Sequence, residues 1–330
     1  MADATQTYRR ILFTGATGFV GHYLAPAIGA AFPDARRLVL RRHGDAVTRE
    51  GWETIDVDIL DSGAIEAAIA AFRPDLVLHL AAQASVGDSA GAAEATWRVN
   101  FDGALNLAAA CSRHTPKTTL FFVSSSEVYG WSFRDGAARE DTPLRPVSVY
   151  AKSKAAAETM LADVLTPQAR LIIVRPFNHT GPLQDERFVL PSFAAQIAAI
   201  EADRHNPRLE VGNLDAARDF LDVRDVCAAY LALLRKAPDL PARNVFNVGS
   251  GKAHTIRALL DILCALSPRK LEIAVDPKRL RESDIPIAVG ASDRLAAATG
   301  WAPKFPIEAT LRGLLDHWRE VESLRGRLTT

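Results

Sequence analysis

Tyr150-Ala151-Lys152-Ser153-Lys154 sets a phenol and an ammonium four residues apart, which on a helix makes them neighbours on one face. A free phenol, with a pKa of about 10, is a poor base at neutral pH. An ammonium beside it favours the phenolate and brings proton exchange within reach. Upstream stands Ser124-Ser125-Ser126-Glu127, where the Ser125 hydroxyl is placed to bind a reacting oxygen. Near the N-terminus, Thr14-Gly15-Ala16-Thr17-Gly18-Phe19-Val20-Gly21 follows the apolar run Ile11-Leu12-Phe13. Glycines spaced three apart let a strand turn sharply into a helix and let a pyrophosphate approach the helix N-terminus. Each motif has a bland reading: a tight turn, an aromatic at a helix start, a solvated lysine. Their conjunction and order point instead to hydride transfer at a carbonyl or a hydroxyl.

The elements that must position these groups alternate through the first half of the chain. Strands are expected at Arg10–Thr14, 37–41, 54–58, 76–80, 119–124 and 170–175. Helices are expected at 19–32, at 62–72 (ended by Pro74), along an Ala-rich stretch at 92–111, and at 150–165. The nearly continuous apolar strand at 76–80 suits a parallel sheet covered on both faces. The pattern predicts an α/β fold, a doubly wound parallel sheet of Rossmann type. Beyond Pro176, Pro, Asn, Asp and Gly punctuate shorter segments, which predicts a smaller α/β substrate-binding lobe. Phe220–Val226 and Val245–Val248 are expected to return to the main sheet as strands. The expected division is 1–176 plus 217–248 for the cofactor and 177–216 plus 249–330 for the substrate.

The end of the second strand chooses between the two nicotinamide dinucleotides. An acid there would bind ribose hydroxyls, whereas an arginine accommodates a 2′-phosphate. This chain has Arg41-Arg42 and no acid, so NADP(H) is the expected cofactor, with NAD(H) possible. The competing reading is a pair of solvated surface arginines. Asp58-Ile59 is placed to meet adenine. Leu80-Ala81-Ala82-Gln83 offers small side chains where cofactor passes close to backbone. His79 reads as a satisfied structural histidine rather than a ligand.

Among the 330 residues, 48% are hydrophobic, enough for a substantial core, and Lys+Arg equals Asp+Glu at 39 each. Zero net charge gives no support for nucleic-acid binding or for a polybasic membrane surface. Cys111, Cys227 and Cys264 are odd in number and lack metal-ligand spacing, so no metal is expected. No apolar run is long enough to span a bilayer, and the polar start lacks the apolar core of a signal peptide. The expectation is a soluble cytoplasmic protein.

The glycine turn, Leu80-Ala81-Ala82, Asn100, Ser124–Glu127, Tyr150/Lys154 and Arg175-Pro176-Phe177-Asn178 together resemble the extended short-chain dehydrogenases/reductases acting on nucleotide sugars. The resemblance implies Ser125, Tyr150 and Lys154 as the catalytic set, with Lys154 also bonding the nicotinamide ribose. It has Asn100 supporting the active-site helix and Phe177 beside the cofactor. Within that family, Phe177–Pro182, Val211–Phe220 and 280–286 resemble the reductases that turn GDP-4-keto-6-deoxy-D-mannose into GDP-D-rhamnose. The related GDP-mannose 4,6-dehydratases usually carry Glu-Ser where this chain has Thr180-Gly181, and Lys where it has Ala217. On this resemblance Ser126, Asn178, Val189, Asn213, Arg218, Arg281 and Asp284 would hold the GDP-sugar, the arginines at its diphosphate and Asp284 at ribose hydroxyls. Glu282 departs from the proline more usual there and puts the local loop shape in question.

Three readings follow. In a C4-keto reductase, Tyr150 protonates the developing alkoxide and Ser125 stabilises it, while product stereochemistry (rhamnose or 6-deoxy-talose) stays open. In a 4,6-dehydratase or 4-epimerase the cofactor is regenerated, and Glu127 could remove the C5 proton. In a non-catalytic NADP(H) sensor, intact Tyr150 and Lys154 would be unexplained. The resemblance also implies a homodimer through a four-helix bundle built from helices such as 92–111 and 150–165.

Overall fold

The computed structural model describes residues 8–44, 50–83, 92–279 and 285–328. Within these, a seven-stranded sheet has the order β10-β6-β5-β4-β1-β2-β3, every neighbouring pair parallel. Its strands are β1 Arg10–Thr14, β2 Arg36–Arg41, β3 Glu53–Asp56, β4 Leu76–His79, β5 Thr119–Val123, β6 Arg170–Pro176 and β10 Arg243–Val248. The order reverses between β1 and β4, which opens a crevice at the carboxyl ends of the strands. β4 lies at the centre with all four residues buried, and its unbroken apolar run reflects a sheet covered on both faces.

One face is covered by α1 (Phe19–Ala31) and α7 (Val223–Lys236), with Leu24, Ile28, Phe121, Tyr230 and Leu233 fully buried between them and the sheet. The other is covered by α2 (Ser62–Phe72), α4 (Gly103–His114) and α5 (Val149–Val164), over Leu12, Val77, Leu107, Phe122 and Leu161. Each such side chain taken fully out of water contributes about 1.5–3 kcal/mol. Local signals set the ends. Asp61 caps α2 by accepting from Ala64 N at 2.9 Å, and Arg73 closes it in a left-handed turn at φ 51°. Ser148 caps α5 by accepting from Ala151 N at 3.1 Å.

Two expectations need correction. The Ala-rich stretch is not one α-helix: α3 (Ala93–Trp97) passes through a π turn, Arg98–Asp102, before α4 begins at Gly103. The wider turn brings Asn100 inward, where both ends of its amide are used. Phe220–Val226 is not a returning strand. Residues 217–222 form β9 (Ala217–Asp222) of a second sheet, and α7 starts at Val223. Asp222 ends the strand by capping that helix, accepting from Arg224 N at 2.8 Å. Val223, Val226, Tyr230 and Leu233 then recur at helical spacing and bury against the α1 face. Val245–Val248, by contrast, lies within β10 of the main sheet.

In the second sheet, β7 (Asn178–Thr180) and β13 (Ile287–Ala288) run parallel to β9, and β11 (Ala253–Thr255) runs antiparallel to it. β8 (Arg208–Val211) and β12 (Glu272–Val275) form a two-stranded sheet. The lobe has its own core, where α6 (Val189–Glu201), α8 (Ile256–Ala265) and α10 (Ile307–Leu328) contribute Phe193, Ile197, Leu260, Leu263, Leu314 and Trp318. Among the described residues no helix is long and apolar enough to cross a membrane.

Candidate functional site

The crevice at the strand ends opens into one continuous cavity of about 2130 Å³ that runs from the glycine turn to the smaller lobe. Its first wall is the β1–α1 turn. Gly15 sits at φ 82°, and a Cβ there would lie 2.5 Å from Ala81 N. At Gly21 it would lie 2.5 Å from the carbonyl oxygens of Gly15 and Ala16. Only glycine allows this turn to nest against the end of β4 and against the first turn of α1. Gly18 is the N-cap of α1 and brings no side-chain cap, and the first turn carries no acid. An anion of the cofactor fits such a terminus, where the unpaired N–H groups and the helix dipole both favour negative charge.

Thr17, Phe19 and Val20 complete this wall, and Asp58, Ile59, Leu80, Ala81, Ala82 and Gln83 line the cavity beside it. Asp58 also caps its own turn, accepting from Leu60 N at 2.9 Å. Arg41 and Arg42 both line the cavity but differ in state. Arg41 Nε is 2.6 Å from Asp56 Oδ1, whereas Arg42 is exposed. Asn100 lies behind the cavity wall and does not line it. It accepts from Gln83 N at 2.9 Å and donates to Ser153 Oγ at 3.0 Å, so it acts on the wall through the Gln83 backbone and on α5 through Ser153. Phe177 reaches the cavity, but its ring is core: it packs with Tyr129 and Phe133 at centroid distances of 6.5 and 6.0 Å.

Where β5 ends, the chain turns through Ser125 into a short 3₁₀ turn, Ser126–Tyr129, and Ser125 Oγ caps it by accepting from Glu127 N at 3.2 Å. Across the cavity, α5 presents Tyr150 and Lys154 one turn apart. Burial pushes the Tyr150 phenol up to about 12; its hydrogen bond with Ser125 opposes this and the Glu127 carboxylate reinforces it. Lys154 Nζ donates to Val123 O at 2.8 Å and lies 4.7 Å over the Phe122 ring. Burial lowers its pKa to about 7, with Glu158 acting the other way. A phenol held protonated beside a serine hydroxyl is set up to give a proton to a developing alkoxide.

The smaller lobe closes the far side. Ser126, Glu127, Asn178, Val189, Asn213 and Arg218 all line the cavity. Arg218 Nη1 donates to Ala217 O at 2.9 Å and Ile285 O at 2.7 Å, which fixes the guanidinium at the edge of β9. Arg281 and Asp284 lie outside the described residues. Sequence reasoning missed Arg187, Gln196 and Arg279, which also line this end. Arg187 and Arg279 stand on segments without a regular period, Gln196 lies on α6, and only the folding of 183–196 against 276–279 makes them neighbours. It also missed His79, buried below the site with Nδ1 2.8 Å from Thr14 Oγ1, as a group tied to Lys154; their mutual repulsion adds to the burial that lowers its pKa to about 3.

A family model described as GDP-mannose 4,6 dehydratase matches residues 12–314. The GDP-6-deoxy-D-mannose reductase of Pseudomonas aeruginosa is 35% identical over 312 residues, covering 94% of this chain and 97% of that protein. Among solved structures, RMD from Pseudomonas aeruginosa complexed with NADPH superposes with a TM-score of 0.79 at 34% identity, over 95% of this chain and 99% of that one. A Thermus thermophilus UDP-glucose 4-epimerase complex with NAD also gives 0.79, at 29% identity over 94% and 99%. A family model that spans nearly the whole fold, and a relative this similar along its full length, lead to one conclusion: the chain belongs to the GDP-mannose 4,6-dehydratase family of extended short-chain dehydrogenases/reductases, NAD(P)-dependent enzymes that modify nucleotide sugars.

Proposed function

We propose that the protein is an NADPH-dependent reductase that converts the C4 ketone of GDP-4-keto-6-deoxy-D-mannose to the alcohol of GDP-D-rhamnose. The observation that carries this reading is the junction in the cavity. Ser125 and the Tyr150 phenol, with Lys154 one turn away, stand where the glycine-turn half meets the half lined by Asn178 and Arg218. The similarity to the Pseudomonas reductase supports the same substrate.

NADPH, when bound, supplies the hydride. The α1 N-terminus holds its pyrophosphate, Arg42 meets the 2′-phosphate, and Lys154 holds the nicotinamide ribose. Ser125 donates a hydrogen bond to the ketone oxygen, and Tyr150 gives it a proton as negative charge builds there. Burial of the phenol keeps that proton in place at neutral pH. Arg218 faces the diphosphate, where charge-assisted bonds anchor the nucleotide tail. Arg281 and Asp284, outside the described residues, remain proposed for the diphosphate and the ribose. NADH is kept as a second cofactor, since the Thermus thermophilus epimerase of the same fold is complexed with NAD.

Glu127 supports a second reading. It lines the cavity and its charge acts on Tyr150, as a base for C5 proton removal in a 4,6-dehydratase would need. One experiment separates the two. The protein is incubated with GDP-4-keto-6-deoxy-mannose and NADPH, cofactor oxidation is followed by absorbance, and the product is identified by NMR. Loss of NADPH with formation of GDP-rhamnose supports the reductase, and GDP-6-deoxy-talose corrects only its stereochemistry. No NADPH consumption there, together with formation of GDP-4-keto-6-deoxy-mannose in a parallel incubation with GDP-mannose, supports the dehydratase.

We further propose a homodimer through α4 and α5. Trp97, 38% exposed, and the partly buried Phe101 and Met160 leave apolar surface beside these helices. Sedimentation equilibrium tests it, and a monomer at micromolar concentration rejects it.

A further inference from the structure

Behind the catalytic pair lies a buried network that the reaction does not itself use. Glu158 is one turn beyond Lys154 on α5 and 5% exposed. Arg175, on β6 and also 5% exposed, grips its carboxylate with Nη2 at 2.6 Å from Oε2 and Nε at 3.1 Å from Oε1. Ser124 Oγ donates a very short bond to the same carboxylate. On its other side, Arg175 Nη1 donates to Tyr129 Oη at 2.9 Å and Glu140 O at 3.1 Å. Tyr129 Oη then donates to Asn247 Oδ1 at 2.7 Å.

Every end of this network touches something the site needs. Ser124 is the residue between Val123, whose carbonyl receives Lys154 Nζ, and Ser125, whose hydroxyl meets Tyr150. Residues 123 to 125 are therefore stitched to α5 at two successive turns, by Lys154 and by Glu158. Arg175 opens the segment 175–178 that carries the chain from β6 into the smaller lobe and to Asn178. A buried ion pair is costly unless its remaining bonding positions are filled, and here Ser124, Tyr129 and the Glu140 carbonyl fill them.

Resting on the reductase reading, we propose that Glu158, held by Arg175 and Ser124, is a positioning residue: it sets the register of Ser125 against Tyr150 and keeps the Lys154 ammonium charged for cofactor binding. The groups that bear on Lys154 are His79 from β4, Phe122 and the Val123 carbonyl from β5, and Tyr150 and Glu158 from its own helix. Arg175 stands behind Glu158. Among the titratable groups, Glu158 is the one that supports the charged lysine, while burial and the neighbouring imidazole are arranged on the opposite side of the balance.

The test uses NADPH binding, read by nicotinamide fluorescence between pH 5.5 and 9, together with the pH profile of kcat/KM. Wild-type binding should weaken as pH rises through the Lys154 transition, and Lys154→Met should abolish that limb. In Glu158→Gln/Arg175→Gln, which removes both charges and retains hydrogen-bonding groups, the limb should move about one unit to lower pH. Ser124→Ala, which leaves the ion pair in place, should lower kcat by about tenfold with KM for NADPH within about twofold, since only the Ser125 register is loosened. Near-UV circular dichroism checks that each variant is folded. A limb unmoved in a folded double variant, a limb that persists in Lys154→Met, or wild-type kcat in Ser124→Ala overturns the proposal. Because the binding limb is read without turnover, it stands or falls separately from the substrate assigned above.

Discussion

Arg41 and Asp56 are register partners at the ends of neighbouring parallel strands, and their side chains close across that register with Nε 2.6 Å from Oδ1. The acid that a dinucleotide fold often carries at the end of its second strand is here on the third, and it is occupied by the arginine beside it. The guanidinium holds Asp56 below the usual carboxylate range. On the NADPH reading, Arg42, exposed in the same cavity wall, would be the residue that meets the 2′-phosphate. Arg42→Ala should lower the NADPH-over-NADH ratio of kcat/KM by about tenfold or more, the worth of one charge-assisted bond. Arg41→Ala should cost less. Equal effects at the two positions would reject this division.

Tyr150→Phe removes the proposed proton donor and keeps the ring. Turnover should fall by a factor of about 10²–10⁴ while the dissociation constant for NADPH stays within about threefold. Fluorescence titration and a steady-state assay on one preparation check both halves. Retained turnover would remove Tyr150 from the chemistry.

Glu127 has no step in a reduction. Glu127→Gln should leave ketone reduction within about threefold of wild type, a far smaller effect than the hundredfold loss of a group acting in the transition state. A loss of a hundredfold, with water elimination from GDP-mannose lost in parallel, would favour the dehydratase reading.

Gly21 leaves no room for a side chain. A Cβ would stand 2.5 Å from two backbone oxygens, which cannot yield as a flexible side chain can. Gly21→Ala should destabilise the protein by about 1–3 kcal/mol and weaken NADPH binding, because the α1 terminus is pushed from its turn. Thermal unfolding with and without NADPH measures both, and unchanged binding would reject the role of this terminus.

His79 gives a pH signature. Burial lowers its pKa from 6.5 to about 3 in the folded protein, so below 6.5 the unfolded chain binds the extra proton. The stability it contributes is complete above 6.5 and is lost as pH falls towards 3. At pH 5 the loss is about 2 kcal/mol. Urea unfolding of wild type and His79→Asn at pH 7 and pH 5 isolates it, since the difference between the two proteins should shrink or reverse at the lower pH. A difference independent of pH would show that the imidazole is not buried neutral.

The sequence by itself determined what depends on local period and local sterics. α2 spans 62–72 ahead of Pro74 as expected, and the apolar runs at Ile11–Phe13 and Leu76–Leu78 fall in central strands. The glycine turn lies where the spacing put it, and Tyr150 and Lys154 share a helix face. Tertiary structure decided what depends on partners distant in the chain. Phe220–Val226 has strand-like composition, but its second half became helix because Asp222 caps it and α1 offers an apolar face. The π turn at Arg98–Asp102 follows from the demand that Asn100 reach both Gln83 and Ser153, which no local pattern encodes. The charge states were also decided there. The neutral Tyr150 and the weakened Lys154 are consequences of desolvation, which depends on how completely β5, α5 and the smaller lobe exclude water, and a linear spacing of four residues carries no measure of that.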